Sequence, residues 1–358
     1  MRFFSDTLHF VRRERVWVLL FVFLVLVYIL VTSRHEKPRE ELSARSAQKL
    51  HLAETKLQEE IQKTGGLQNF LLSRPKLLKF FALFSALIAT IFLSGFAIDL
   101  AWLFRPSWRR KITSGVSPPR ATSWGIGTVV KTILLFVLAS MGLSILLAIL
   151  RAVVFRGVSP NFFILFHTTL SDLICVGIVI GFIRAGRGHW KDLGFRSIRW
   201  GKELLVGIAG YAAVVPLFFL ILFFLIIVVQ IFSYEPPPHP LVEVFLEEER
   251  SPGLIAYSLF LACVAGPILE EIFFRGFCYP AFKKRWGVGW ALILSAAFFS
   301  LIHQNAFAFL PVFVLGLALG YLYEKRGTLV PSIVLHIVHN SIFITYFFLA
   351  KEVLMRNA

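Results

Sequence analysis

Polar side chains that are able to do chemistry recur in the C-terminal third of the chain, inside segments that are otherwise apolar. Glu270 and Glu271 close one apolar run and are followed by Arg275, while His303 closes the next run. A charge in apolar surroundings is costly unless it is paired. These residues are therefore the first candidates for a functional site.

The spacing of the two glutamates separates their expected roles. On a helix Glu271 and Arg275 lie four residues apart on one face, which predicts an ion pair between them. Glu270 is turned about 100° away from Glu271 and is left free for another task.

The last apolar run adds three more polar side chains. His336 and Asn340 lie four residues apart on one helical face, with His339 beside them. A carboxylate or an imidazole can take a proton from water, and neutral donors can hold the oxyanion that forms on a carbonyl group. These groups, contributed by three separate helices, indicate hydrolysis.

Each of these elements also has a purely structural interpretation. The Glu-Glu-x-x-x-Arg pattern can be an inner-face charge cluster, and His303 can be a hydrogen-bonded core histidine. Asn340 can be a polar contact between helices. Their occurrence together and in this order favours the chemical interpretation.

The composition describes an integral membrane protein. Of its 358 residues, 57% are hydrophobic and 16% are charged, against about 25% charged in a soluble domain. The net charge of +16 comes from basic residues that lie between apolar runs, so we expect contact with anionic lipid head groups and no nucleic acid. Three cysteines without paired spacing are expected to be small core residues: Cys175, Cys263 and Cys278.

The apolar runs predict an all-α, polytopic transmembrane helix bundle of about nine spans, since a span takes about 20 apolar residues. The runs cover 16–32, 80–104, 125–150, 161–183, 203–233, 253–270, 288–303, 306–323 and 329–350. The first is expected to be an uncleaved anchor, because it is not followed by the small-x-small pattern of a cleaved signal peptide. Residues 34–66 carry charges of both signs and are expected to form a charged helical connector.

Loop charges predict the orientation. The loop 184–202 carries six basic residues and the loop 105–124 carries five, whereas 151–160 and 234–252 carry two and one. Cytoplasmic loops are enriched in lysine and arginine. We therefore expect the N-terminus and the 184–202 loop in the cytoplasm, and 34–79 on the opposite side.

Three further polar residues lie in earlier runs. Asp99, near the end of the second run, is expected at the membrane interface. His167 and Asp172 lie five residues apart in the fourth run, which aligns them poorly for pairing.

Taken together, three motifs resemble those of the CPBP intramembrane proteases (the CAAX protease and bacteriocin-processing, or Abi, family), in particular the CAAX prenyl endopeptidase type 2, lysostaphin-resistance-like domain. The motifs are Glu270-Glu271-x-x-x-Arg275, Phe299-x-x-x-His303 and His336-x-x-x-Asn340. The stretch 313–332 also looks like the segment between the second and third family motifs. The resemblance extends weakly over 190–350, and residues 1–190 have no counterpart in it.

The resemblance implies a role for each motif residue. Glu270 and His303 would activate the attacking water, and His336 would hold the oxyanion together with Asn340. His339 leaves an alternative open, since it can lie nearer the site than Asn340.

Glu271 and Arg275 are implied to orient the helix end. Members of the family are often called metalloproteases, because two histidines and a glutamate can bind zinc. Here that set would be Glu270, His303 and His336. The sequence has no His-Glu-x-x-His motif, so a divalent metal such as zinc and a metal-free mechanism both stay open.

On straight helices these residues would lie at different depths in the membrane. With the predicted orientation, Glu270 and His336 lie toward the cytoplasmic side and His303 lies nearer the outer face. Short, tilted or broken helices around Gly276, Gly287 and Gly289 would remove this difference; otherwise a boundary of one predicted span is wrong.

The sequence thus predicts a multi-pass protein of the cell membrane in three parts. They are an anchor with the charged connector (1–79), additional transmembrane helices with a basic cytoplasmic loop (80–202) and a protease core (203–350). The expected activity is hydrolysis of a peptide bond in a membrane-associated substrate: a CAAX-like tail, a leader peptide or a membrane protein.

Two other functions stay open. The first is a non-catalytic membrane scaffold, immunity or regulatory protein of the same fold. The second is a transporter that uses the buried charges as an ion path. Transporters usually show corresponding broken helices in two halves, whereas here the polar groups lie in one half only.

Overall fold

The structure is a computed structural model, which describes residues 14–32, 52, 55–105, 122–195, 200–232 and 251–355. Its α-helices are α1 Arg15–Thr32, α2 Leu67–Leu72, α3 Pro75–Phe104, α4 Ile126–Val153, α5 Pro160–Ala185, α6 Trp200–Phe232, α7 Pro252–Phe260, α8 Gly266–Glu271, α9 Tyr279–Leu301, α10 Ala306–Arg326 and α11 Val330–Met355. The described part of the connector is helical over 55–63. No strand occurs among these residues, so the all-α prediction is confirmed.

Seven helical stretches of the described chain are long and apolar enough to cross a membrane, which confirms a multi-pass membrane protein. The number differs from nine for two reasons. The anchor helix α1 has 18 residues, which is near the lower limit of length for a helix that spans the membrane. The predicted runs 253–270 and 288–303 lie on one continuous helical stretch of 50 residues, Pro252–Leu301.

That stretch is neither straight nor uniformly α-helical. Two π-helical segments, Leu261–Ala265 and Ile272–Cys278, flank α8. Gly287 has φ 79° and ψ 178°, a conformation that glycine reaches because it has no Cβ. The chain doubles back at this point, since the Ser295 hydroxyl donates to the Phe274 carbonyl at 3.4 Å.

Contacts of α4, α6 and α10 define one end of the bundle. The Trp124 indole donates to the Phe277 carbonyl at 2.8 Å, and the Leu329 amide donates to the Gly194 carbonyl at 3.3 Å. The buried side chains of Glu203 and Arg326 form an ion pair between α6 and α10. The loop after α5 and the start of α11 therefore lie at the same end.

The opposite end contains an apolar cavity of about 830 Å³ between α3, α6, α11 and the connector helix. Leu57, Leu77 and Val353 lie among its lining residues. The start of α3 and the end of α11 are thus neighbours. The predicted orientation also used loop charges in 34–51, 106–121, 196–199 and 233–250, which lie outside the described residues.

Cysteine labelling at two exposed positions tests the orientation. Lys76→Cys, at the start of α3, and Lys191→Cys, in the loop after α5, lie at opposite ends of the bundle. We expect a membrane-impermeant thiol reagent to label Lys191→Cys from the cytoplasmic side only and Lys76→Cys from the other side only. Labelling of both variants from the same side would contradict the topology.

Close helix contact in the N-terminal half depends on one glycine. A Cβ at Gly95 of α3 would lie 1.9 Å from the carbonyl oxygen of Ala212 in α6, whereas a Cβ at Gly142 of α4 would meet nothing within 4 Å. Small residues permit such close approach between membrane helices.

We therefore expect Gly95→Ala to lower stability by about 1–3 kcal/mol through overpacking. Gly142→Ala is the matched control and should leave stability unchanged or slightly higher, because alanine is the better helix former. Thermal unfolding of the purified proteins in detergent compares the two. Equal melting temperatures for both variants would show that α3 and α6 do not pack this closely.

Candidate active site

A buried carboxylate lies at the centre of the candidate site. Glu271 Oε1 accepts a hydrogen bond from Arg275 Nη1 at 2.8 Å and lies 3.1 Å from His336 Nδ1. The side chains of Glu271 and Arg275 are fully buried. The ion pair expected from their spacing is therefore present, and it also binds the histidine of α11.

Arg275 connects this carboxylate to a third helix. Its Nη2 donates to the Gly316 carbonyl of α10 at 3.1 Å, and its guanidinium carbon lies 4.4 Å from the centre of the Phe299 ring. The ring of Phe299 also contacts the imidazole of His336, with 5.6 Å between ring centres. One arginine thus joins the region of α8 to α9, α10 and α11.

Glu270 lies on the other side of the same imidazole. Its Oε2 is 3.8 Å from His336 Nε2, and its side chain is one-third exposed (33%). That oxygen is itself buried and has no hydrogen-bond partner among the described residues. His336 therefore has a carboxylate near each ring nitrogen: Glu271, which is paired with Arg275 through Oε1, and Glu270, which has no cationic partner there.

The carboxylate of Glu271 determines which nitrogen of His336 carries a proton. A carboxylate that is paired with an arginine can only accept, so Nδ1 donates to it. A second proton on Nε2 would point toward Glu270 and the space in front of it. In that form the imidazole is a donor for a developing negative charge.

Asn340 and His339 point to different helices. The Asn340 amide donates to the Ala262 carbonyl, in the first π-helical segment, at 2.8 Å. The His339 ring lies against Tyr211 and Phe218 of α6, with ring centres 5.9 and 5.2 Å away. Asn340 is thus the residue that faces the segment leading to Glu270, and His339 faces away from it.

His303 is not brought into contact with the other site residues. It lies just beyond the end of α9 and is exposed. Its Nδ1 donates to the carbonyl of Phe299 at 2.7 Å, and its ring lies 4.9 Å from the Phe299 ring. Phe299 therefore contacts both histidines. Because Nδ1 carries the proton, Nε2 of His303 is left free to accept one.

The side chains named as candidate metal ligands do not fit a metal ion as they are placed. Glu270 and His336 approach each other, but His303 is turned toward the end of its own helix. Among the described residues, no group of three His, Cys, Asp or Glu side chains is arranged to hold a metal ion.

Two contacts of the site could not be found from side-chain patterns. The carbonyls of Gly316 and Ala262 bind Arg275 and Asn340. Every residue carries a backbone carbonyl, so these acceptors leave no mark in the sequence.

A family comparison agrees with this arrangement. Residues 252–342 match the model of the Rce1-like family, described as type II CAAX prenyl endopeptidase Rce1-like. The matched range contains the whole candidate site, from Ala262 to Asn340. The class of protein is therefore a multi-pass α-helical membrane protein with an Rce1-like segment, which confirms the resemblance expected from the three motifs.

One curated relative extends the similarity beyond this segment. The chain is 26% identical over 190 residues to the UPF0177 protein YaiF of Lactococcus lactis subsp. lactis (strain IL1403), which covers 52% of this chain and 80% of that protein. No solved structure matches the chain significantly.

Removal of the arginine tests the buried ion pair. Arg275→Ala leaves Glu271 without its cation in a buried site, which is expected to cost about 3–5 kcal/mol. Lys63→Ala is the matched control, since Lys63 pairs with Glu59 at the same i, i+4 spacing but in an exposed position. Exposed pairs of this kind contribute about 0.3–0.5 kcal/mol.

Thermal unfolding in detergent is the measurement. The double variant Glu271→Gln/Arg275→Ala should recover part of the loss, because it removes the orphaned charge. Equal melting temperatures for Arg275→Ala and Lys63→Ala would show that the buried pair of Glu271 and Arg275 stabilises the protein no more than the exposed pair does.

Proposed function

We propose that this protein is an intramembrane endopeptidase, which hydrolyses a peptide bond of a membrane-associated substrate. The observation that carries the proposal is the pair formed by Glu270 and His336, with 3.8 Å between Oε2 and Nε2. A free carboxylate and an imidazole held by Glu271 face one space within the Rce1-like segment. The Rce1-like match supports a CAAX-type intramembrane protease fold.

The chemistry assigned to these residues is water activation. Glu270 takes a proton from water, and the water oxygen then bonds to the carbonyl carbon of the substrate. When Nε2 of His336 carries a proton, its N–H stabilises the negative charge that develops on the carbonyl oxygen. A bundle interior of low dielectric constant strengthens such interactions.

The remaining motif residues complete this proposal. One N–H of the Asn340 amide is bound to Ala262, and the other is assigned to the oxyanion. His303 is assigned to the second side of the attacking water, which requires its exposed ring to turn toward Glu270 when substrate binds. Glu271 and Arg275 orient the site without contacting the substrate.

The proposed catalytic unit is the predicted core, 203–350. The close approach of Gly207 in α6 to Val334 and Pro331 in α11 supports including α6 in this unit. The description of the matched family favours a prenylated CAAX-like tail as the substrate. A leader peptide and another membrane protein remain the other substrate classes to be tested.

A non-catalytic role in the membrane is the second candidate function. It is favoured by the position of His303, which contacts Phe299 and not Glu270, and by the hydrogen bond that occupies the Asn340 amide. A scaffold or regulatory protein would keep the buried charges for structure alone.

Substitution of Glu270 separates the two functions. Glu270→Gln keeps the size of the side chain but cannot take a proton at neutral pH, so activity should fall by about 10²–10⁴-fold while folding survives. Cleavage of a farnesylated CAAX peptide by the protein in proteoliposomes is the assay. Asp99→Asn, which removes a half-buried carboxylate elsewhere in the bundle, is the control and should keep full activity.

Two further variants and a phenotype complete the experiment. Asn340→Ala should lower turnover by about 10²–10³-fold with little change in substrate affinity. His303→Ala combined with Glu270→Gln should be little worse than either alone, if both act on one water. Full complementation of a deletion strain by Glu270→Gln, at normal expression, would exclude hydrolysis as the cellular role.

A further inference from the structure

The chain reverses direction within α9, and the turn at which it does so projects from the described part of the bundle. Residues 285–290, the α9 turn, are all exposed. A Cβ at Gly287 or Gly289 would meet nothing within 4 Å. Two of the exposed side chains are indoles, since Trp286 is 44% exposed and Trp290 is 62% exposed.

Glycine contacts between α9 and α10 give the register of the two helices. A Cβ at Gly316 would lie 2.9 Å from the Ala296 Cα, and a Cβ at Gly320 would lie 2.9 Å from Leu292 Cδ2. Four residues forward along α10 thus correspond to four residues backward along α9. The two helices are antiparallel and remain in close contact toward the α9 turn.

This register gives the depth of the α9 turn. Continued by one helical turn, it places residue 288 beside Glu324, and α10 ends two residues later, at Arg326. Helix α10 is one of the helices that are long and apolar enough to cross a membrane. The α9 turn therefore lies where α10 leaves the membrane, on the side predicted to be cytoplasmic.

Polar contacts hold the α9 turn at this depth. Lys283 Nζ donates to both carboxylate oxygens of Glu324, at 2.7 and 2.8 Å, and the Tyr279 hydroxyl donates to the same carboxylate at 2.9 Å. Lys284 Nζ donates to the Thr122 carbonyl at 3.1 Å. The residues that lead into the turn are thus joined both to α10 and to the segment before α4.

Positive charge lies beside the two indoles. Glu324 is bound to Lys283, whereas three further basic residues near the turn have no acidic partner among the described residues: Lys284, Arg285 and Lys325. Exposed aromatic rings and uncompensated cations therefore occur together at the boundary between membrane and water.

We propose that the α9 turn binds anionic phospholipid of the adjacent leaflet, with Trp286 and Trp290 among the head groups and the three cations on the lipid phosphates. Tryptophan is enriched at this level of a membrane, since its ring is apolar and its N–H can bond to polar groups. Lysine and arginine close to an anionic surface add electrostatic attraction. The lipid contact expected from composition is thereby assigned to one element of the fold.

The position of the α9 turn favours lipid over a soluble protein as its partner. Head groups surround a side chain at this depth without any further assembly, and a soluble partner would have to displace them. The turn also belongs to the helical stretch Pro252–Leu301, which carries Glu271 and Arg275. Lipid bound at the turn would thus anchor the same stretch that contains the buried ion pair.

Tryptophan fluorescence in vesicles tests the placement of the indoles and needs no substrate. The full chain is reconstituted in phosphatidylcholine with or without bromine on the acyl chains, because bromine quenches indoles that contact lipid. The emission of the two indoles is the difference between the wild type and Trp286→Phe/Trp290→Phe. We expect brominated lipid to quench this emission, and iodide on both sides of the membrane to quench it little.

Trp124→Phe is the matched control for this measurement. Trp124 is buried, and its indole donates to the Phe277 carbonyl, so neither quencher should affect its emission. Quenching of the turn indoles by iodide and not by brominated lipid would overturn the proposal. It would place the α9 turn in water, as a surface for a soluble partner.

A second comparison tests the role of charge. Brominated phosphatidylglycerol in plain phosphatidylcholine is compared with the reverse mixture, and quenching of the turn indoles gives the relative affinity for the two lipids. One basic residue near an anionic surface contributes about fivefold. Arg285→Gln/Lys325→Gln should therefore lower the preference for phosphatidylglycerol about fivefold or more. Salt at about 1 M should lower the preference of the wild type as well.

Lys76→Gln is the matched control for charge, because it removes an exposed cation at the opposite end of the bundle. It should leave the preference unchanged. A wild-type preference in Arg285→Gln/Lys325→Gln would overturn the proposed anionic partner. An equal loss in Lys76→Gln would overturn it too, since the attraction would then come from the overall charge of the protein and not from the α9 turn.

Discussion

The arrangement of the C-terminal helices depends on the need to satisfy one buried carboxylate. Glu271 is fully removed from solvent and binds both Arg275 and His336 through one oxygen. An uncompensated charge in such a place costs several kcal/mol, so neither partner can move away freely. Because the partners come from different helical segments, the carboxylate fixes α8 against α11.

Close packing of glycine makes the third connection possible. Arg275 reaches the Gly316 carbonyl only because α10 lies close, and a Cβ at Gly316 would be 2.9 Å from the Ala296 Cα of α9. The turn at Gly287 brings that part of α9 back beside Arg275. The polar network and the glycine contacts therefore support one another: the network needs the short distances, and the glycines permit them.

Much of the fold was predictable because hydropathy and helical spacing are local properties. The apolar runs predicted the helices, and the four-residue spacing of Glu271 and Arg275 predicted their ion pair. The same rules could not predict the two π-helical segments, since spacing rules assume 3.6 residues per turn throughout. Nor could they predict the turn at Gly287, because glycine is common in membrane helices and only its backbone angles distinguish this one.

The site was predictable to the extent that side-chain spacing determines it. His336 and Asn340 share a helical face in the structure as they do in the sequence, and His339 is turned toward α6. The position of His303 was less predictable, because it depends on where α9 ends and on which way an exposed ring turns at that end. Only contacts within one helix can be read from spacing; contacts between helices depend on packing.

The two adjacent glutamates show how one helical turn can combine rigidity with reactivity. Neighbouring residues on a helix point about 100° apart, so Glu271 enters the packed interior while Glu270 faces the partly open side, where its side chain is 33% exposed. His336 lies between them. Because its Nδ1 binds the fixed carboxylate of Glu271, its Nε2 is held in place in front of Glu270. A carboxylate that reacts must lose its strongest partners, and one that holds a helix in place must keep them. Two adjacent glutamates meet both demands within one site, because Glu271 holds the helix in place and Glu270 is left to react.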